Sequence, residues 1–136
     1  MVKKKALRVW LPTPQRASKP KIPEAEKQQV EAQCQTFIEL KKPSWVQPPN
    51  DRWGYVSDVY GKWYRSYFYF CATYSCKAPD AIMPEREVKF TRLEHAGAGK
   101  FHLAYFRHTG QWWQVYENLT LKDCLHTIEQ EQLFWP

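Results

Sequence analysis

The sequence contains no apolar run approaching the roughly 20 residues that a membrane-spanning helix needs, so we expect no membrane partner. It has only five glycines. Gly97 and Gly99 precede a strand pattern rather than a helix, which excludes a glycine-rich phosphate-binding loop. Its four cysteines do not have the Cys-x-x-Cys spacing of zinc knuckles and thioredoxin-like redox sites.

An export signal is also missing, because Ala6–Leu11 is too short for its apolar region and Pro12 and Pro14 interrupt it. We therefore expect a cytoplasmic protein with reduced thiols. No spacing of histidines and cysteines predicts a metal site, and no local pattern pairs a nucleophile with a base. The expectation is a protein with no metal, no cofactor and no catalytic residue.

Acidic residues are absent from the first 22 positions, and this concentrates the net charge of +6 at the amino end. That segment holds seven of the 20 lysines and arginines, which leaves 13 basic and 14 acidic residues elsewhere. We interpret residues 1–22 as an extended or disordered basic arm and residues 23–136 as one near-neutral domain. The candidate phosphate-binding residues of the arm are Lys3, Lys4, Lys5, Arg8, Arg16, Lys19 and Lys21. The apolar stretch Val9–Leu11 predicts either a docking anchor or a segment that folds back on the domain.

One helix is predicted at each end of the domain. The first covers residues 23–42, with Pro23 in its first turn and Pro43 ending it. The second covers residues 120–130 and is capped by Thr120. The terminal aromatic residues that follow are expected to dock on the domain, because leaving them in water forfeits roughly 1.5–3 kcal/mol each.

Between the helices, the pattern predicts an antiparallel sheet of four to five strands. Ten of the 22 positions from 53 to 74 are aromatic, and we place there a short strand, a turn near Gly61 and a long strand over residues 63–74. Strands at residues 87–94, 100–107 and 111–116 follow, joined by hairpins. The fold class is therefore α+β, with both helices packed on one face of the sheet.

Alternation along the long strand assigns its residues to two faces. The face expected toward the helices carries Tyr64, Phe68, Phe70, Ala72 and Tyr74. The other face carries Arg65, Tyr67 and Tyr69, a basic residue followed by alternate aromatic ones, which partly resembles the RNP1 strand of RNA-recognition domains. These three residues are candidate nucleic-acid contacts. The alternative is that the tyrosines pack against cross-strand neighbours: Trp112, Trp113 or Phe106.

Four short stretches of the carboxyl-terminal half carry a family resemblance. They are Lys89–Arg92, Phe101–Arg107, Gln111–Tyr116 and Leu133–Trp135. Over about 50 residues this half resembles a family of small bacterial proteins catalogued as a domain of unknown function, which close on Phe-Trp-Gly where this chain has Phe-Trp-Pro. The resemblance implies a small α+β bacterial protein and assigns no activity.

The sequence therefore predicts a non-enzymatic binding module, a small accessory subunit that docks on nucleic acid or a ribonucleoprotein through its arm. We expect RNA rather than DNA. The alternative is a module for protein interaction or homo-oligomerisation, in which an aromatic sheet face binds the partner and the arm is solubilising.

Overall fold

Five antiparallel strands in chain order form one sheet, with one helix before it and another after it. A computed structural model describes residues 22–50, 52–79 and 84–136 of the chain. The elements are α1 (Glu24–Trp45), β1 (Tyr55–Tyr64), β2 (Tyr67–Ser75), β3 (Glu85–Gly97), β4 (Lys100–Phe106), β5 (Trp112–Thr120) and α2 (Leu121–Gln130), followed by a 3-10 turn, Gln132–Phe134. The predicted α+β class is confirmed. The predicted arm lies outside the described residues except for Ile22.

Both helices pack on the same face of the sheet, as predicted. The buried residues of α1 and α2 share one core with the fully buried Phe68, Phe70 and Phe101 of the strands. Those helix residues are Val30, Cys34, Ile38, Trp45, Leu121, Cys124 and Ile128. Thr120 caps α2, because its Oγ1 accepts a hydrogen bond of 3.1 Å from the Asp123 N–H. Neither helix of the described chain has both the length and the apolarity that crossing a membrane requires.

The prediction that Pro43 ends α1 is wrong, since the helix continues through it to Trp45. Proline removes one backbone donor. Trp45 is nevertheless buried. Its ring packs edge-on against Phe37 and against Phe90, whose centroid is 5.7 Å away. It also packs at a tilt against Trp135, with 6.4 Å between centroids. The burial of this indole outweighs the missing hydrogen bond, so the helix continues until Trp45 reaches the core.

The predicted long strand over residues 63–74 is also wrong, because it comprises the end of β1, a turn and most of β2. The turn is Arg65–Ser66, with Arg65 at a φ of 57°. Gly61 lies inside β1, where the Phe68 ring and Ile38 pack directly over its Cα. Because the chain turns back after Tyr64, this residue pairs with Tyr67 and lies on the same face of the sheet as Tyr67. Tyr64 therefore does not face the helices.

Candidate nucleic-acid interface on the open sheet face

The face of the sheet that points away from the helices is the candidate site, and we call it the open face. No helix of the described chain covers it, because both helices pack on the other side. Strand pairing places on it Tyr60, Lys62 and Tyr64 of β1, Tyr67, Tyr69, Cys71 and Thr73 of β2, Glu87, Lys89, Arg92 and Glu94 of β3, His102, Ala104 and Phe106 of β4, and Trp112 and Gln114 of β5. The open face thus combines aromatic rings with charges of both signs.

A continuous row of rings crosses the open face from β2 to β5. Ring centroids are 5.8 Å apart for Tyr67 and Tyr69, 5.7 Å for Tyr69 and Trp112, and 5.1 Å for Trp112 and Phe106. On β4, Ala104 pairs with Arg92 of β3 on one side and with Gln114 of β5 on the other. Its small side chain leaves room for the Trp112 indole to reach the rings of β2. The row therefore depends on residues from three different strands.

The rings differ in how much surface they offer a partner. Tyr69 is only 9% exposed, so it packs against Trp112, as the alternative from the sequence predicts. Burial raises the pKa of the Tyr69 phenol, and the nearby Arg92 charge partly offsets that shift. Tyr67 and Trp112 are partly exposed, while Tyr64 and Phe106 are 55% and 41% exposed. Four rings around a buried tyrosine therefore remain accessible.

Arg92 holds its guanidinium between two of these rings. Its central carbon lies 4.8 Å from the centroid of Tyr67 and 4.9 Å from that of Trp112, both within cation–π range. The two rings come from β2 and β5, on opposite sides of β3. Its Nε is buried and has no hydrogen-bond partner.

The two lysines of the open face share one carboxylate, that of Glu87. Lys62 Nζ lies 2.9 Å from Glu87 Oε1, Lys89 Nζ lies 3.5 Å from the same oxygen, and the Tyr60 hydroxyl also donates to Glu87. The Tyr60 and Lys62 hydrogen bonds hold the pKa of Glu87 below its ordinary range. One carboxylate offsets one of the two lysine charges, and Lys62 is the closer of the two to it.

The predicted contacts of the sheet occupy two different positions. Tyr67 and Tyr69 lie on the open face, whereas Arg65 lies in the β1–β2 turn with its guanidinium 5.2 Å from the Tyr64 ring centroid. The predicted arm residues Lys3, Lys4, Lys5, Arg8, Arg16, Lys19 and Lys21 lie outside the described residues. Sequence reasoning missed Arg92 as a member of the site. Arg92 pairs with Tyr69 across β2 and β3, and this follows only from the register of the two strands.

A groove of about 830 Å³ lies where the first turn of α1 meets the β3–β4 hairpin. His95 Nε2 is 2.7 Å from Glu26 Oε2, and Nδ1 of His102 accepts a hydrogen bond of 3.2 Å from the Asn118 N–H. Within the described ranges, no group of three or more His, Cys, Asp or Glu residues is placed to hold a metal ion. The contact between His95 and Glu26 joins α1 to the sheet beside this groove. The open face remains the candidate site.

Three of the four cysteine thiols are poor nucleophiles, because they are fully buried. Burial raises the pKa of Cys71 to about 11 and that of Cys124 to about 12. It also raises the pKa of Cys34, and the neighbouring Cys124 adds to that shift. Only Cys76 is partly exposed.

We therefore expect iodoacetamide at pH 8 to label one thiol per folded chain rapidly, namely Cys76. Intact-mass spectrometry at timed intervals measures this, and Cys76→Ser should abolish the fast phase. All four thiols should react once the chain is unfolded in guanidinium, which is the positive control. A second fast label on the folded protein would contradict the burial described above.

Comparison with known proteins gives one match. The family model described as "Domain of unknown function (DUF3024)" matches residues 22–136, which covers α1, the whole sheet and α2. No curated protein and no solved structure matches the chain.

Proposed function

The chain belongs to the DUF3024 family, a domain of unknown function, and from its own surface we propose that it is a non-enzymatic binding module for single-stranded nucleic acid, RNA in the first instance. In this proposal, bases stack on the open face and the basic segment at the amino end contacts phosphates. Free thiols in the described part of the chain support a cytoplasmic location.

One observation carries the proposal, namely accessible aromatic rings beside cations on an uncovered sheet face. Bases stack on aromatic side chains with about 1–3 kcal/mol per base, whatever their sequence. Tyr67 and Trp112 lie on either side of the Arg92 guanidinium, and Tyr64 lies across from Tyr67. Rings and cations in one surface suit the bases and phosphates of a single strand.

The basic segment joins the domain close to this surface. Its last residue, Lys21, is followed by Ile22, which lines the same groove as Ser66 and Glu94. Ser66 precedes Tyr67, and Glu94 pairs with Tyr67 across the strands. A strand of nucleic acid stacked on Tyr67 therefore lies near the carboxyl end of a segment that carries seven basic and no acidic residues.

A second candidate function is self-association through the open face, and two observations favour it. Tyr69 is already packed against Trp112, and Tyr64 and Phe106 are large rings left exposed beside it. Glu87 and Glu94 also lie among the cations, so the face contains charges of both signs. Exposed aromatic patches of this kind mark protein interfaces as well.

Fluorescence anisotropy of labelled single-stranded RNA and DNA tests the proposal. We expect Tyr67→Ala to weaken RNA binding roughly fivefold or more, since one stacking contact is lost. Replacing the seven basic residues of the segment with glutamine should flatten the salt dependence, by about 0.7 in log–log slope per lost phosphate contact. Trp53→Ala is the matched control, because Trp53 is 68% exposed but precedes β1 at the far end of the sheet from Tyr67.

Two results would contradict the nucleic-acid proposal. One is no binding by the wild-type chain at low salt. The other is equal affinity of the Tyr67→Ala and Trp53→Ala variants together with an unchanged salt slope. Concentration-dependent sedimentation that Tyr64→Ala abolishes would then support the self-association module.

A further inference from the structure

Arg92 carries a positive charge that the fold partly withdraws from water, since its side chain is only partly exposed. Its Nε is buried and has no hydrogen-bond partner. Among the described residues, the ion pairs that involve the sheet join Lys62 and Lys89 to Glu87, Lys42 to Asp58 and His95 to Glu26, and Arg92 is in none of these four. A charge in this position usually has a partner, because desolvation without one is costly.

Stacking accounts for only part of the environment of this guanidinium. Its central carbon lies over the rings of Tyr67 and Trp112, at 4.8 and 4.9 Å from their centroids. A ring face accepts little from the in-plane N–H groups of a guanidinium, which form their strongest hydrogen bonds with the oxygens of carboxylates and phosphates. The rings and the nearby Tyr69 hydroxyl, whose hydrogen bond with Arg92 partly offsets the rise in the Tyr69 pKa that burial causes, hold the group in place. Because Nε is buried and the side chain is partly exposed, the outer Nη groups are the part that a partner can reach.

The surrounding residues favour an anion as that partner. The nearest lysine on β3, Lys89, lies 5.5 Å from the Tyr69 ring centroid, and its contact with Glu87 is long, at 3.5 Å. Glu94 lies two positions further along β3 on the same face, opposite Tyr67. Arg92 is thus a preoriented cation with a second cation nearby.

We propose that Arg92, held between Tyr67 and Trp112, forms an anion-binding subsite on the open face that takes a phosphate group. This inference deepens the proposed function, since the phosphate would be a phosphodiester of the bound strand, while free phosphate has the same chemistry. The planar fork of the guanidinium binds two phosphate oxygens at once, which lysine does not do.

Inorganic phosphate tests the subsite without any nucleic acid. In nitrogen–proton NMR spectra of the full chain, we expect the Nε–H signal that disappears in Arg92→Lys to shift saturably with phosphate at constant ionic strength. Arg107 is the matched control, because it stacks on a single ring, Trp113, at 4.7 Å. An Arg92 signal that moves no more than that of Arg107 would overturn the subsite.

RNA binding by the same variants separates the two proposals. We expect Arg92→Gln to weaken binding roughly tenfold and to lower the salt slope by about 0.7, while Arg107→Gln leaves both unchanged. Arg92→Lys should retain the slope but lose affinity, since the charge remains and the fork does not. Melting temperatures of all variants check that the fold is intact.

The possible results are distinguishable. A phosphate-dependent shift at Arg92 without RNA binding would contradict the proposed function and leave the subsite standing, with free phosphate as its ligand. RNA binding that Arg92→Gln and Arg107→Gln affect equally, with no phosphate shift, would overturn the subsite and leave the proposed function standing.

Discussion

Replacing Gly61 with alanine is expected to lower the free energy of unfolding by about 1–3 kcal/mol, the usual cost of overpacking a core. A Cβ at this position would lie 2.5 Å from Cζ and 2.6 Å from Cε2 of Phe68, and 3.2 Å from Cδ1 of Ile38. The Phe68 ring has little freedom to move, because it is 1% exposed and packs edge-on against Trp63 and Phe70. The strain therefore cannot be relieved by a simple rotamer change.

Urea unfolding followed by circular dichroism measures this loss of stability. Gly54→Ala is the matched control, because the nearest atom to its added Cβ is the Ser75 carbonyl oxygen at 3.8 Å, an ordinary contact. We expect the control to remain within about 0.5 kcal/mol of wild type. Equal stability of the two variants would show that the space above Gly61 is not needed by Phe68.

Gly61 also explains why the first hairpin could not be predicted from the sequence. Glycine is typical both of turns and of strand positions where another group approaches the backbone closely. Only the position of the Phe68 ring separates these two uses, and that depends on pairing between β1 and β2. The turn itself is Arg65–Ser66, which carries no glycine to mark it.

Elements with local signals were predicted well. The two helices, the Thr120 cap and the hairpin that joins the strands before and after Gly97 and Gly99 all depend on nearby residues, and each is present. The end of α1 was not, because Pro43 is a local signal and the burial of Trp45 is not local. Tertiary contacts decide such boundaries.

In the candidate site too, local patterns could be predicted and contacts between strands could not. Alternation along β2 places Tyr67 and Tyr69 together on one face, but exposure depends on what crosses from other strands. Trp112 reaches over Ala104 and covers Tyr69, while Tyr67 remains partly open. The position of Arg92 between rings of β2 and β5 needs the register of four strands at once. Sequence patterns therefore predict the face and not its binding groups.

Replacing Phe134 with alanine is expected to have the largest effect, a loss of about 3–5 kcal/mol in the free energy of unfolding. Phe134 is fully buried near the end of the chain, with Tyr105 and Tyr116 at centroid distances of 5.9 and 6.4 Å. The backbone holds it there, because the buried Thr91 hydroxyl donates a 2.8 Å hydrogen bond to its carbonyl oxygen. Next to it, Trp135 Nε1 donates to the Ile128 carbonyl at 2.7 Å.

Thermal and urea unfolding of Phe134→Ala and Leu133→Ala separate burial of this ring from a general effect at the chain end. Leu133 is 45% exposed in the same 3-10 turn, so its truncation should cost less than about 1 kcal/mol. A small domain has roughly 5–15 kcal/mol of stability in total, so the Phe134 variant should be partly unfolded at modest urea concentrations. If both variants unfold like wild type, the terminal residues do not complete the core. If only Phe134→Ala is destabilised, the buried ring completes the core against Thr91, Tyr105 and Tyr116, and the chain end in general does not.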